Sequence, residues 1–477
     1  MDRIVIQLGR SKDDVWFALR EPAPQEEVTH TLTCAVTDPD FAALRGVKIG
    51  ADSVKVAGSR LFQELVTKQD IQQHLTTALA TAVGGRLPIA IKMGTTLGVE
   101  ALPWEAMCAP SGDYLGLDER WALARMVQPR TEGAPFYLLT PPVKIAAVLS
   151  CLDISAQGEL DALRAAIQRA GGRHVQLLVV TSEDRLYMDL EAELKAATWP
   201  CETRLEMVPG DLAGLHRLVS DFGPHVLHFF CHGSLEASAH LLIAKKEDWC
   251  LHPRVSSITA EAGEFSGFTS RTGEPPWITV LNCCEGAGVT SADSQSLART
   301  LVAEGVTAAA VGMREPVVDT TANQLTEALY GELLSELATR IEAAETTPAN
   351  ATLQPLDWPR LLVAARERLA SVRGKPKRVA AGSRKEWTLP VIYVRPQDFL
   401  LQVSEPAVVG GGGPRGRLGG ERANEVDERA ARLEIQLLQT LLTDLPPEQA
   451  GVLKGDAMKR IKVLSGQLGV ELPEGPT

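Results

Sequence analysis

An α/β fold with a mainly parallel sheet covered by helices follows from three features of the sequence. Between residues 143 and 230, β-rich runs alternate with amphipathic helical runs: VKIAAVLS, ELDALRAAIQRAGG, VQLLVV, LYMDLEAELKAA, TRLEMVPG, DLAGLHRLVSDFG and HVLHFF. That order is the signature of parallel βαβ units. The β-rich runs are largely apolar, as buried strands are. Two of them, HVLHFFCHG at 225–233 and WITVLNCCEG at 277–286, end abruptly in a histidine before glycine and in two cysteines before an acid. In an open parallel sheet the ligand crevice lies outside the carboxyl ends of the strands, so these two ends face one crevice.

A chain of 477 residues with 45% hydrophobic content accommodates roughly two to four domains with sizeable cores. The net charge of −12 argues against nucleic acid or an anionic membrane as the main partner, since both need a basic footprint. No apolar run approaches the roughly 18 residues that span a bilayer, and the opening MDRIVIQLGRSKDD lacks the layout of a signal peptide, so a cytoplasmic location is expected. The eight cysteines, Cys34, Cys108, Cys151, Cys201, Cys231, Cys250, Cys283 and Cys284, show no CxxC and no even framework. They read as reduced thiols, most of them in cores, rather than as disulfides or a structural zinc site.

In chain order, the β-rich runs at 4–7, 15–20 and 29–36 are separated by turn-type SKDD and EPAPQEE and predict an antiparallel meander. From Ser59 the spacing turns helical: Leu61, Phe62, Leu65 and Val66 form a stripe that Ile71, Leu75, Leu79 and Val83 continue until Gly84 and Gly85. A buried strand is expected at 87–94, and residues 1–138 form an α+β accessory region. After HVLHFF comes a long polar excursion at 234–276, expected to be an irregular functional loop. Beyond the cysteine strand, helices are expected at SLARTLVAEG, 321–340 and 358–372, and strands at 306–313 and 387–394. Residues 404–423, SEPAVVGGGGPRGRLGGERA, form a Gly-rich linker. It leads to a tail, 424–477, of two helical patterns at 425–442 and 448–468, with Asp444 capping the second. Leu453, Ala457, Ile461, Leu464 and Leu468 share one face; two helices this short dock, dimerise or bind a partner rather than stand alone.

The two strand ends carry the chemistry. A cysteine of pKa about 8.5 is only slightly ionised at neutral pH, so a nucleophilic thiol needs a nearby imidazole. His232 and Cys284 read as such a dyad, with the histidine as base. Gly233 lets a substrate carbonyl approach closely, and its amide with that of Cys284 makes an oxyanion hole. Either motif alone also reads as structural, because apolar strands often end in a buried cysteine. A metal cluster of His225, His228, Cys231 and His232 is disfavoured, since alternate residues of a strand face opposite sides; His228 reads instead as a core residue supporting the site. No GxSxG, Walker A or GxGxxG is present, which leaves serine hydrolase, NTPase and dinucleotide readings without an anchor.

HFFCHG, LNCCEG, the helix and strand that follow, and the closing WTLPVIYV together resemble the CHAT family of caspase-like cysteine peptidases over roughly residues 60–400, with PWE at 103–105 in support. The resemblance implies a caspase-like three-layer α/β/α sandwich with a mainly parallel sheet over residues 139–403, preceded by a pseudo-caspase-like α+β accessory region and followed by the linker and helical tail. It puts the base on the histidine before glycine, His232, and the nucleophile on the cysteine before glutamate, Cys284, with His228 and Glu285 in support. Such families usually carry a small residue where Cys283 stands, so the choice between the two thiols stays open here, with Cys284 preferred.

In caspase-like folds the loops after the cysteine strand and after the next strand line the specificity pocket. Here they carry Asp293 and Asp319, which would select Arg or Lys before the cleaved bond; both also read as helix N-caps, and Arg314 in the same loop would invert the preference. Arg415 and Arg417 in the linker, with Arg422, are then candidate points of self-cleavage, although the linker reads first as an inert tether. The resemblance implies a cysteine endopeptidase needing no metal or organic cofactor, a protein substrate, and a role as a controlled effector in bacterial (antiviral) defence or cell death. The tail would serve as adaptor for a sensor or regulatory protein. The alternative is a scaffold whose dyad is idle and which acts by protein binding through the tail.

Overall fold

The computed structural model describes residues 3–11, 14–20, 28–31, 33, 37–45, 49–67, 69, 72, 73, 77, 86–93, 99–131, 133, 134, 136–234, 239–250, 257–283, 296–346, 353–372, 377–404, 458, 461, 462 and 465. In chain order its strands are β1 (Ile4–Ser11), β2 (Asp14–Arg20), β3 (Val28–Thr31), β4 (Ile89–Lys92), β5 (Ala124–Met126), β6 (Tyr137–Leu139), β7 (Val143–Leu149), β8 (Val175–Thr181), β9 (Glu202–Met207), β10 (Val226–Phe230), β11 (His232–Ser234), β12 (His240–Ile243), β13 (Ile258–Glu261), β14 (Ile278–Leu281), β15 (Ala309–Met313), β16 (Gln354–Pro355), β17 (Pro390–Val394) and β18 (Leu400–Val403). The chain divides into two compact units. One is Met1–Gly133, Val143–Ala338 and Asp357–Asp398; the other is Ala134–Pro142, Thr339–Leu356 and Phe399–Thr477.

The first unit holds a twelve-stranded sheet in the order β3-β2-β1-β4-β5-β17-β15-β14-β10-β7-β8-β9. From β15 to β9 all neighbours are parallel. β17 runs antiparallel to β15, then β5, β4 and β1 continue parallel to β17. β1, β2 and β3 form the expected antiparallel meander. Because β5 pairs with β17, one hydrogen-bonded sheet joins strands of residues 1–138 to strands of residues 139–403.

Apolar runs buried along their length make the central strands: every residue of β10, β14, β15 and β17 is buried. Leu215, Val219 and Phe222 of helix Leu212–Phe222 pack with Leu227 and Phe229 of β10 and with Leu297, Leu301 and Val302 of helix Leu297–Ala303. The former helix is closed by chemistry at both ends. Asp211 accepts a hydrogen bond from Gly214 N at 2.7 Å, and Gly223 terminates it at φ 64°, where a side chain would be strained. A second core gathers Ile4, Ile6, Ile89 and Ile91 of β1 and β4 with helix Ser53–Val66, Trp104, Trp121, Leu369 and Trp387.

Two expectations are corrected, and one strand is new. The excursion at 234–276 is not irregular: its described residues include β12, β13 and a 3-10 segment, Ala262–Phe268, and β11-β12-β13 form an antiparallel sheet. Burial alternates along HLLI and ITAE because only one face is covered, and Leu241, Ile243, Ile258 and Ala260 share a buried core cluster with Phe265 and Phe268. β5 was not foreseen, because a buried arginine sits at its centre. Finally, β10 ends at Phe230, so His232 belongs to β11 rather than to the parallel strand before it.

In the second unit β18 pairs antiparallel with β16 and parallel with β6, Tyr137 stacks on Phe399 with ring centroids 4.1 Å apart, and Ser404 N donates to Leu139 O. Of the expected tail, Met458, Ile461, Lys462 and Ser465 are helical, with Ile461 and Ser465 buried. The linker beyond Ser404 and the rest of the tail lie outside the described residues. No described helix is long and apolar enough to cross a membrane.

Candidate active site

β10 lies between β14 and β7, in register Phe229↔Leu281 and Phe229↔Val148. The ladder runs slightly past the strand ends: Asn282 N donates to Phe229 O at 2.9 Å and Ser150 N to Phe230 O at 2.8 Å. The segments that follow β7, β10 and β14 therefore leave the sheet side by side, at the carboxyl edge where ligands bind in open α/β sheets.

His232 opens β11, opposite Leu242 of β12. The base of this small sheet is pinned to the end of β7, where Ser150 Oγ donates to Ala244 O at 2.6 Å. His232 Nε2 lies 2.7 Å from Leu152 O. A carbonyl only accepts, so Nε2 carries the proton and, in the neutral ring, Nδ1 holds the lone pair. The imidazole is thus fixed in orientation and tautomer, which is what a general base requires. Gly233 is half-buried and stands opposite Leu241.

Cys283 is buried in the core cluster that also holds Leu281, Cys231, Leu297 and Leu301. Cys284, Glu285 and Asp293 lie outside the described residues, as do Arg415 and Arg417. Asp319 is exposed at the first position of helix Asp319–Thr346, and its Oδ1 accepts from Thr320 N at 2.7 Å. Arg314 Nη1 reaches Ala101 O at 3.4 Å, and its Nη2 lies 3.6 Å from Glu315.

The other two histidines of the stretch are engaged elsewhere. His225 stacks on Trp277, and its Nδ1 accepts from Lys144 N at 3.0 Å. His228 is fully buried, with Nε2 2.9 Å from Glu159 Oε1 and its ring edge-on to Tyr330. The three imidazoles have separate partners, and among the described residues no group of three or more His, Cys, Asp or Glu is placed to hold a metal ion.

PWE has a structural explanation. Glu105 is buried and takes two hydrogen bonds from Arg125, Nε to Oε1 and Nη2 to Oε2, both at 2.9 Å, while Arg125 also donates to Glu100 O and Leu102 O. Burial pushes the Glu105 carboxyl up, but the charge and hydrogen bonds of Arg125, with Arg366 and Arg314 behind it, outweigh this and hold it below the usual carboxylate range. Burial lowers the neighbouring Arg366 to about 10, against the Glu105 charge, which raises it, and with a smaller push from the Arg125 charge. Leu152, Asn282, Glu159, Thr326 and Tyr330 were missed from sequence. Only Asn282, a polar residue at the end of an apolar run, left a readable signal.

The CHAT domain model matches residues 55–359, more than half of the chain. The chain therefore belongs to the CHAT family, and its caspase-like, cysteine-peptidase-like fold is the one that family carries. No curated protein matches it. Among solved structures it is similar to separase in the Saccharomyces cerevisiae separase–securin complex, at 12% identity over 72% of this chain and 18% of that one, with a TM-score of 0.33. It is also similar to the Arg-specific cysteine proteinase gingipain R, at 9% identity over 76% of this chain and 74% of that one, with a TM-score of 0.35. The chain spans less than a fifth of the separase chain it matches.

Proposed function

We propose that the chain is a cysteine endopeptidase in which His232 is the base and Cys284 the nucleophile, with the amides of Gly233 and Cys284 as oxyanion donors. The observation that supports this reading is the 2.7 Å hydrogen bond from His232 Nε2 to Leu152 O, which leaves Nδ1 as the basic nitrogen of the neutral ring. In the reaction His232 Nδ1 takes the Cys284 thiol proton and the thiolate sulfur attacks the scissile carbonyl carbon. The oxyanion that forms is held by the two amides, the C–N bond breaks, and the leaving amine takes the proton from the imidazolium. Water, deprotonated by the same imidazole, then hydrolyses the thioester.

The substrate is a partner protein in the cytoplasm, and the chain acts as a controlled effector in bacterial defence or cell death. Residues 139–403 carry the peptidase, 1–138 the accessory region, and the tail at 424–477, beyond the linker 404–423, receives a sensor or regulatory protein. With Asp319 exposed and bonded to its own helix, selection of a basic residue before the cleaved bond rests on Asp293. Self-cleavage at Arg415 or Arg417 then releases the tail. The test is labelling by an acylating peptide probe of wild type, His232→Ala and Cys284→Ala, with intact mass recorded on each. Labelling of wild type alone, with any tail fragment confined to it, is expected. Labelling that ignores position 284 removes the enzyme reading and leaves a binding scaffold.

A further inference from the structure

Beneath the strand ends lies a polar cluster that the proposed chemistry does not use. Glu159, His228, Thr326 and Tyr330 are fully buried, and Asn282 is nearly so. Glu159 Oε1 is its hub. It accepts from Asn282 Nδ2 at 2.8 Å and from Thr326 Oγ1, while His228 Nε2 sits 2.9 Å away but outside hydrogen-bonding geometry. Asn282 Nδ2 also reaches Ala322 O and Thr326 Oγ1, each at 3.0 Å. Gly158 lets the helix carrying Glu159 come close, since a Cβ there would lie 2.3 Å from Asn323 Nδ2.

As a stabilising device the cluster is poor. Glu159 Oε2, His228 Nδ1, Asn282 Oδ1 and Tyr330 OH have no hydrogen-bond partner among the described residues. Buried polar groups left unsatisfied are destabilising, and apolar residues of similar volume often do as well or better. Its placement is what distinguishes it. Glu159 lies in the first turn of helix Gln157–Arg169, and the short connection from β7 into that helix contains Leu152, whose carbonyl holds His232. Asn282 directly follows the last residue of the cysteine strand, Leu281, and immediately precedes Cys283. One side-chain bridge, Glu159 to Asn282, therefore spans from the element that orients the imidazole to the element that delivers the thiol. Helix Asp319–Thr346 braces it through Ala322 and Thr326.

We propose that Glu159 is a positioning residue that sets the spacing between the His232 side of the site and the Asn282–Cys283 strand end. The proposal rests on the cysteine-peptidase reading, since it assumes that this spacing tunes a thiol–imidazole pair. The test is the pH profile of Cys284 alkylation by iodoacetamide, resolved by peptide mass, in the full chain and in His232→Ala, Glu159→Leu, Glu159→Gln, Asn282→Leu and the Glu159→Leu/Asn282→Leu double variant. Far-ultraviolet circular dichroism and thermal melts serve as the fold control. Wild type should show an inflection below the ordinary thiol value of about 8.5, which His232→Ala abolishes. Glu159→Leu should slow alkylation at neutral pH by about tenfold and move the inflection back toward that value, as small misplacements of reacting groups do. The double variant should be no slower than either single, because both break one bridge.

If Glu159→Leu does not fold, Glu159→Gln, which keeps the volume and one acceptor, carries the comparison and should show the same shift in smaller measure. Folded variants with a wild-type profile, or effects of Glu159→Leu and Asn282→Leu that simply multiply, overturn the positioning role while the response to His232→Ala keeps the dyad. A wild-type inflection that His232→Ala leaves unmoved overturns the dyad, and the positioning role with it.

Discussion

His225, His228 and His232 share one short stretch of chain, yet each ring is set to a different use by what it touches. His232 is oriented by Leu152 O and His228 faces Glu159. His225 is held neutral: burial against Trp277, and after it the charge of Lys144, lower its pKa to about 3, and its Nδ1 serves as acceptor for Lys144 N. A histidine depressed in the fold binds its proton more readily in the unfolded chain. The stability it contributes is complete above the unfolded value of about 6.5 and is lost as pH falls from there toward the folded value. The ring is only half-buried, so solvent screening makes the resulting figure an upper bound: up to about 2 kcal/mol is lost between pH 7 and pH 5. His225→Asn keeps an acceptor for Lys144 N and removes the titration. Urea midpoints at pH 7, 6 and 5 should therefore fall less steeply in this variant than in wild type; equal slopes would exclude the effect.

At the scale of elements, strands were legible where burial made them uniformly apolar and obscure where it did not. VKIAAVLS, VQLLVV, HVLHFF and WITVLNCCEG announced β7, β8, β10 and β14, and with them the end of the sheet where the candidate site lies. β12 and β13 were hidden because they are only four residues long and lie inside a largely polar stretch, and the bridge from Glu159 to Asn282 was hidden because it joins residues 123 positions apart. β5 was hidden by Arg125, fully buried at its centre and charge-matched only through folding to Glu105. That arginine makes the short strand a joint rather than filler. It clamps Glu105, takes hold of the carbonyls of Glu100 and Leu102, and its strand pairs with β4 and β17. Arg125→Met keeps an unbranched apolar stem but leaves the Glu105 carboxylate buried beside no bidentate partner. Removing one member of a buried pair costs about 3–5 kcal/mol. The variant should show a loss of that size by urea unfolding, and Glu105→Gln combined with Arg125→Met should recover part of it. A neutral Arg125→Met would mean the pair contributes little.

At the scale of the whole molecule, strands within residues 4–126 share one sheet and one core with later elements of the same compact unit. β5 covers one edge of β17, Leu123 O accepts from Arg366 Nη1 at 3.2 Å, and Tyr114 meets Trp387 edge-on at 5.2 Å. Leu369, Ala370, Ala381 and Trp387 are buried in the same core as Ile4, Ile89, Trp104 and Trp121. Starting the chain at residue 139 would remove the partner strand of β17 and uncover Trp387, which is fully buried in the intact chain. Each large side chain so exposed forfeits about 1.5–3 kcal/mol, and the bare strand edge invites aggregation. Against a total stability of about 5–15 kcal/mol for a typical domain, that loss is decisive. The truncated chain should therefore be insoluble or lack a cooperative melt, and co-expression with residues 1–138 as a separate polypeptide should restore a soluble complex on size exclusion. A soluble, cooperatively melting fragment from 139 onward would show that the accessory region is dispensable for the fold, and that β17 tolerates a free edge.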